Sequence, residues 1–402
     1  MKRRVLVINL GWEQEPLLDR LHAAGFDLYG IHYNAAYYRV PAFKDVLISD
    51  LRDLERILAF ARKIKPDGVI SDQCDYSYFA QSLIAEELSL PGPRIREAQL
   101  ATNKYLQRVT AREQGINNPR FKLCTSVEDV YSFADETGFP VITKPVDNRG
   151  SFGVNRIDSR NDIEHAYRDA LIHAHSRLVV VEQFIEGRHI TVDGYAFQGI
   201  GPRALALATK KKLADKKSII DGEIIYPGEL TPDLYNATTA TAEDVARKMG
   251  FRFGFFHGEF IIDAKNQIYL TEIANRGGGV YTSEVIVPHC CGLDILDIYI
   301  RDVMGDPVKL KDIRIEKKPV LMKFFSFPNL LGKTVKNIKG LKDVKQDDNV
   351  LKIRVLLQKG TKVPSIQSGA SRHGVIIITA AAVDRLQANL ESALSKIRVE
   401  HE

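Results

Sequence analysis

Residues 257–279 read HGEFIIDAKNQIYLTEIANRGGG. Two apolar runs with alternating residues flank a polar turn, Asp263-Ala264-Lys265-Asn266, which predicts a β-hairpin. Glu259 falls on the first strand and Glu272 on the second. An unpaired carboxylate in an otherwise apolar run is costly to bury. Two carboxylates facing each other across the hairpin repel unless a cation lies between them. All-oxygen ligation of that kind suits Mg²⁺ or Mn²⁺ completed by substrate phosphates. Two edge glutamates facing water would give the same string, so the rest of the chain has to decide.

With 402 residues the chain is too long for one ordinary core, and two to four domains are expected. Its composition is that of a globular protein, and a formal net charge of +5 with no long Lys/Arg run argues against a nucleic-acid partner. The densest basic patch, Lys210-Lys211-Lys212 with Lys216-Lys217, reads as a solvated loop or part of an anion site. No apolar run approaches the ~18 residues that span a bilayer, and the stretch 5–10 is too short for a signal segment. The four cysteines, Cys74, Cys124, Cys290 and Cys291, lack metal spacing and read as packed thiols. A cytoplasmic protein with no membrane partner is the expectation.

From the N-terminus, strand-like runs at 4–11, 27–32 and 67–71 alternate with helical patterns at 16–24 and 53–64, which predicts a parallel sheet with crossover helices. Ligands of such sheets bind beyond the C-terminal strand ends. Trp12 and Glu13, and Asp72 and Asp75, therefore become candidate substrate residues, with helix capping an equal alternative for the two aspartates. After the break at 91–94, a single helix is expected over 96–114, then α/β alternation over 120–183, strands at 188–208 and 217–227, and a helix over 233–249. Beyond the hairpin, a helix at 292–304, strands at 319–326, 350–358 and 374–379, and a terminal helix at 381–397 complete the reading. The expected domains are 1–95, 96–183, 184–318 and 319–402.

Three further constellations carry chemistry. Val141-Ile142-Thr143-Lys144 delivers one lysine at a strand end, followed by Gly150-Ser151-Phe152-Gly153, a combination suited to polyphosphate, although no Walker A motif is present. The strand ending in Glu182, with Gln183-Phe184-Ile185 after it, can offer backbone and carboxylate to an adenine edge. Arg276 beside Gly277-Gly278-Gly279 suits a carboxylate or oxyanion. Each has a bland alternative in an ordinary turn.

In this order and spacing the motifs resemble the ATP-grasp superfamily, in particular its biotin carboxylase, carbamoyl phosphate synthetase and L-amino acid ligase branch. The resemblance runs from Lys104 in TNKYLQR, through Lys144 and the glycine loop and the hinge from Glu182 to Gly187, to Glu259, Glu272 and Arg276. It implies an α/β fold of the α+β grasp type. A Rossmann-like parallel-sheet domain would be followed by a two-lobed ATP-grasp and a small C-terminal α+β element. It also implies the site. Lys104 and Lys144 would bind ATP phosphates under Gly150 to Gly153. Glu182, Gln183, Phe184, Ile185, His189 and Leu270 would form the adenine pocket. Glu259, Glu272 and Asn275 would hold Mg²⁺ or Mn²⁺, and Arg276, Lys144 and Arg354 would serve the chemistry. Trp12, Glu13, Asp72, Asp75, His257 and Gly278 would face substrate. Many relatives carry Glu-x-Asn at the second metal position, whereas Asn275 here stands one residue later. The implied activity is an ATP-dependent carboxylate–amine ligase joining small molecules through an acyl phosphate, and a homodimer is compatible with it. An ATP-driven carboxylase or formate-type ligase, or a non-catalytic nucleotide binder, are the alternatives.

Overall fold

The structure, a computed structural model, describes residues 2–40, 43–148, 150–213, 220–308, 313–366 and 368–402. Arg149 of the glycine loop, Lys216-Lys217 of the basic patch and the start of the strand expected at 217–227 lie outside them. Four strands, β1 (Arg4–Ile8), β2 (Asp27–His32), β3 (Phe43–Ile48) and β4 (Gly68–Ser71), form an all-parallel sheet of order β3-β2-β1-β4. The apolar run of β1 is buried from Val5 to Ile8, as befits a strand covered on both faces. Asp53 caps the crossover helix Leu54–Ile64 by accepting from the Arg56 amide. The expected Rossmann-like unit is present, with β3 an edge strand too polar to read from sequence.

The expected helix over 96–114 is two helices, Ile95–Ala101 and Lys104–Glu113. Asn103 breaks it by capping the second, its side chain accepting from the Leu106 amide, which puts Lys104 at the first helical position. Strands β5 (Phe121–Cys124), β6 (Val141–Pro145), β7 (Asn155–Ile157) and β8 (Val179–Gln183) then form a small antiparallel sheet of order β5-β8-β6-β7. With the helices Val127–Thr137 and Ile163–His173 it has an apolar core of its own.

The remaining strands are β9 (Arg188–Phe197), β10 (Gly201–Lys212), β11 (Asp221–Tyr226), β12 (Gly254–Ile262), β13 (Ile268–Ala274), β14 (Val320–Phe324), β15 (Val335–Lys339), β16 (Val350–Val355), β17 (Gly374–Thr379) and β18 (Arg398–His401). Eight of them make one antiparallel sheet of order β13-β12-β9-β10-β11-β14-β17-β16, and β15 pairs with β18. β14 pairs directly with β11, so the boundary expected at 318/319 falls inside a continuous sheet. One face of this sheet packs on the helix Pro232–Lys248 through Val192, Phe256 and Ala246. The other packs on the N-terminal unit through Tyr195, Phe255 and Ile377. No helix among the described residues is long and apolar enough to cross a membrane.

The centre of the sheet is tight. A Cβ on Gly194 would collide with the Phe256 ring and the Arg203 carbonyl oxygen, at a point where the β9–β10 register shifts. Gly194→Ala is expected to destabilise the fold by about 1–3 kcal/mol, the usual cost of overpacking, read as a lower urea midpoint.

Candidate active site

The hairpin forms as expected from β12 and β13, with Glu259 and Glu272 directly opposite each other. Like charges at such a position are destabilising. Two lysines relieve them: Lys104 donates to Glu272 at 3.0 Å and Lys210 to Glu259 at 2.6 Å. Lys210, foremost among the groups around it, holds the Glu259 carboxyl well below the usual carboxylate range. The register shifts between Glu259 and Phe260, so that Thr271 is an extra residue in β13. That bulge breaks the alternation. Thr271 and Glu272 both face the cavities, while Leu270 turns into the core. Leu270 is thereby corrected from nucleotide contact to core residue.

Two cavities meet at this pair. One, of about 260 Å³, is lined by Ile142, Lys144, Gln183, Phe184, Ile185 and Ile261 among others. The second, of about 400 Å³, is lined by Glu13, Thr191, Tyr226, His257, Arg276 and Phe324 among others. Gly150, Ser151, Glu259 and Glu272 line both. Gly150, Ser151 and Gly153 take positive φ values of 65°, 61° and 69°, a path that glycine makes inexpensive and that brings the loop against both cavities. Glu259 and Glu272 are the two carboxylates that line both cavities. Among the described residues no group of three or more His, Cys, Asp or Glu could hold a metal. That donor set fits an ion completed by phosphate oxygens rather than a cage of protein ligands.

On the nucleotide side the structure revises one role. Both Glu182 oxygens are taken, by Arg108 at 2.8 and 3.1 Å and by Lys144 at 2.7 Å, and Glu182 is only 1% exposed. Burial alone would push its carboxyl up, but Arg108 first and Lys144 second draw it down to about 2. Glu182 therefore anchors Lys144, and it lines the cavity together with Gln183, Phe184 and Ile185. His189 lines it as well, its imidazole pushed down to about 4 by burial and so neutral. Arg108 was missed in the sequence, although it follows Lys104 by four residues and so shares its helix face.

On the other side, His257 and Glu259 share a strand face as expected, and both line the larger cavity. Asp193 accepts from His257 Nδ1 at 2.7 Å and from the Tyr226 hydroxyl at 3.0 Å. Against the effect of burial, Asp193 raises the imidazole to about 9, so it is charged at neutral pH. Asp75 accepts from Arg276 Nε, which fixes that guanidinium in the cavity wall. Asp75 is thus a positioning group for Arg276 and caps no helix. Asp72 is buried, accepts from Ser283 and from the Gln73 amide, and lies beside Glu284; burial raises both carboxyls. Neither aspartate lines the larger cavity that the candidate substrate residues Glu13 and His257 line. Gly278 touches His257 and Asp193 from behind, where a Cβ would leave no room.

Three expected site residues lie elsewhere. Asn275 follows the end of β13, where its amide donates to the Phe253 and Phe255 carbonyls. Arg354 stacks on the Trp12 ring at 4.9 Å and pairs with Glu15 at 3.3 Å, and neither Arg354 nor Trp12 lines the cavities. These two pin β16 to the N-terminal unit.

Glu182→Gln is expected to destabilise the chain by about 3–5 kcal/mol at pH 7, because it breaks a buried ion cluster. With a folded pKa of about 2 below an ordinary value near 4.5, that contribution is complete above pH 4.5 and fades as pH falls toward 2. Urea unfolding of wild type and variant should therefore converge in acid. Arg354→Ala should cost about 1 kcal/mol, the scale of one exposed ion pair with a cation–π contact, and leave nucleotide turnover unchanged in a steady-state ADP assay.

The family of ATP-grasp domains matches residues 137–284, and the L-amino acid ligase C-terminal domain 2 matches residues 333–402. Formate-dependent phosphoribosylglycinamide formyltransferase from Corynebacterium efficiens is 25% identical over 326 residues, covering 76% of each chain. D-alanine–D-alanine ligase from Bordetella avium is 28% identical over 214 residues, 50% of this chain and 65% of that one. Among solved structures, the L-amino acid ligase from Bacillus licheniformis superposes with a TM-score of 0.85 at 19% identity, covering 100% of this chain and 99% of that one. The MgADP-bound biotin carboxylase domain of the Hydrogenobacter thermophilus 2-oxoglutarate carboxylase superposes with a TM-score of 0.79 at 17% identity, covering 100% and 91%. The lysine-balanced carboxylate hairpin, the glycine loop and the hinge strand all fall within residues 137–284, and the chain carries an ATP-grasp domain there and an L-amino acid ligase C-terminal domain 2 over residues 333–402.

Proposed function

We propose that the chain joins a small carboxylic acid, such as an amino acid or amino sugar acid, to an amine, forming an amide through an acyl phosphate and releasing ADP and phosphate. The observation that carries this reading is the meeting of the two cavities at Glu259, Glu272, Gly150 and Ser151. ATP fits the smaller cavity with its base against Phe184, Ile185 and Ile261 and its phosphates toward the carboxylate pair. Lys144, held by Glu182, and Lys104 supply positive charge there. Mg²⁺ held by Glu259 and Glu272 would neutralise phosphate charge.

The acid lies in the larger cavity. One of its oxygens attacks the γ-phosphorus, the bond to the β-phosphate oxygen breaks, and ADP departs. Arg276, fixed by Asp75, stabilises the developing charge on the acyl phosphate. An amine nitrogen then attacks the acyl carbon, the carbon–oxygen bond to phosphate breaks, and the amide forms as the nitrogen loses a proton. The loop at Gly150 to Gly153 screens the intermediate from water. The walls of the larger cavity include Ile224, Met322 and Phe324, more apolar surface than formate or bicarbonate can use, which favours a larger acid over the one-carbon alternative.

Screening acids crossed with amines for ADP release tests the proposal. A productive pair is expected, and Glu272→Gln should lower its rate by about 100-fold or more, the scale of losing one preorganised transition-state contact. ADP release that never depends on an acid–amine pair would sink the reading.

A further inference from the structure

Residues 333–345 read KTVKNIKGLKDVK, with a lysine at every third position and an apolar residue just before each later one. A period of three suits neither a strand nor a helix. The fold accommodates it in two ways. A bulge in β15 between Val335 and Asn337 re-phases the strand, so Val335 and Ile338 both pack on a small apolar cluster with Leu357 and Val363. The short helix Leu341–Lys345 then sends Leu341 and Val344, three residues apart, into the neighbouring core. Lys333, Lys336, Lys339, Lys342 and Lys345 are left exposed. Lys359 and Lys362 are exposed beside them, because Thr334 bridges to Lys362 and the Gly360 amide donates to the Val335 carbonyl.

The net charge of the chain is concentrated here. Residues 333–402 hold thirteen Lys and Arg against seven Asp and Glu, an excess of six, whereas the whole chain has an excess of five. The rest of the chain is therefore balanced to within one charge. Glu402 pairs with Lys336 at 3.2 Å and Glu400 with Lys339 at 2.6 Å. Lys333, Lys342, Lys345, Lys359, Lys362 and Arg398 form no ion pair among the described residues. Arg398 even stands directly opposite Lys339 across the strand pair, a like-charge placement that costs stability. Lysines often guard an exposed strand edge against pairing. That role does not cover Lys342 and Lys345, which lie on a helix, or Lys359, which lies in a turn. Charge gathered at the cost of self-repulsion fits a surface that meets an opposite charge.

The pattern also narrows the kind of anion. Asp343, Asp347 and Asp348 stand among the lysines together with Glu400 and Glu402. A lipid or nucleic-acid surface, negative throughout, would meet these five carboxylates with like charge. No exposed aromatic ring among the described residues of 333–402 offers a base a stacking platform. Leu331, 48% exposed, adjoins the row at Lys333. One leucine is too little apolar surface for a lipid anchor, but it suits contact with a protein.

We propose that this lysine row is the docking surface for an acidic protein, whose carboxylates face the unpaired lysines and whose apolar side chains cover Leu331. The segment carrying Lys359 and Lys362 runs on, six residues beyond Val363, to Gly369 in the wall of the larger cavity. A partner docked on the row thus contacts the same segment that walls the substrate side. The surface itself does not depend on the ligase reading.

The probes are three: a fluorescent peptide of five Glu-Gly-Ser repeats, vesicles of phosphatidylserine and phosphatidylcholine in equal parts, and a DNA duplex of two helical turns. Each is titrated with the full chain at matched ionic strength. The peptide should bind, more weakly as salt rises, and more tightly than vesicles or duplex. Replacing Lys333, Lys342, Lys345 and Lys362 by Gln removes four exposed ion pairs and should weaken the peptide by about 10-fold. The pair Lys342→Gln and Lys345→Gln should give part of that loss, and it carries the test should the fourfold variant not fold. Replacing the exposed Lys63, Arg168, Arg247 and Lys265 by Gln changes the net charge equally and should leave peptide binding as in wild type. Equal loss in both fourfold variants would mean that binding follows net charge alone. That result, no binding of the peptide, or tighter binding of vesicles or duplex, overturns the proposal whatever becomes of the ligase reading.

Discussion

Two carboxylates set side by side across a hairpin must be neutralised, and much of this molecule is arranged to do so. Glu272 draws Lys104 from the first turn of a helix that Asn103 caps, and Glu259 draws Lys210 from β10. Lys104 brings Arg108 with it, and Arg108 fixes Glu182, which in turn fixes Lys144. A chain of alternating charges thus ties the hairpin to the small antiparallel sheet. Because each lysine is already matched by an acid, the site holds its positive charge in place before phosphate arrives. Such preorganisation is the form of electrostatic help that phosphoryl transfer can use.

The same logic separates two kinds of arginine. Arg108, Arg276 and Arg354 each have a carboxylate, and each positions something: Lys144 through Glu182, the loop after β13 through Asp75, and β16 through Glu15. Arg372 has an aromatic ring beneath it and no acid beside it among the described residues. The first group spends its charge within the protein.

The N-terminal unit contributes less chemistry than support. Its strand ends do face the larger cavity, as open α/β sheets predict, with Glu13 and Gln73 in the wall. Its aspartates, however, hold the loop that carries Arg276 instead of a substrate. Asp72 beside Glu284 is a buried carboxyl pair, and burial raises both carboxyls.

By itself the sequence determined the hairpin and its two glutamates, the lysine and glycine loop after β6, the hinge after β8 and the parallel N-terminal sheet. Each is local: an alternation, a turn residue, or an odd charge in an apolar run. The same local reading misplaced Leu270, because a bulge at Thr271 changes which residues share a face, and bulges leave no mark in an alternating string. It gave Arg354 and Asn275 roles that resemblance suggested, whereas the fold sets Arg354 on Glu15 and Asn275 on the Phe253 and Phe255 carbonyls. The partners were beyond it altogether. Arg108 meets Glu182 across 74 residues, Lys210 meets Glu259 across 49, and Arg276 meets Asp75 across 201. Only the tertiary structure decides which opposite charges neutralise one another. That choice depends on distance in space, which the order of residues along the chain does not carry.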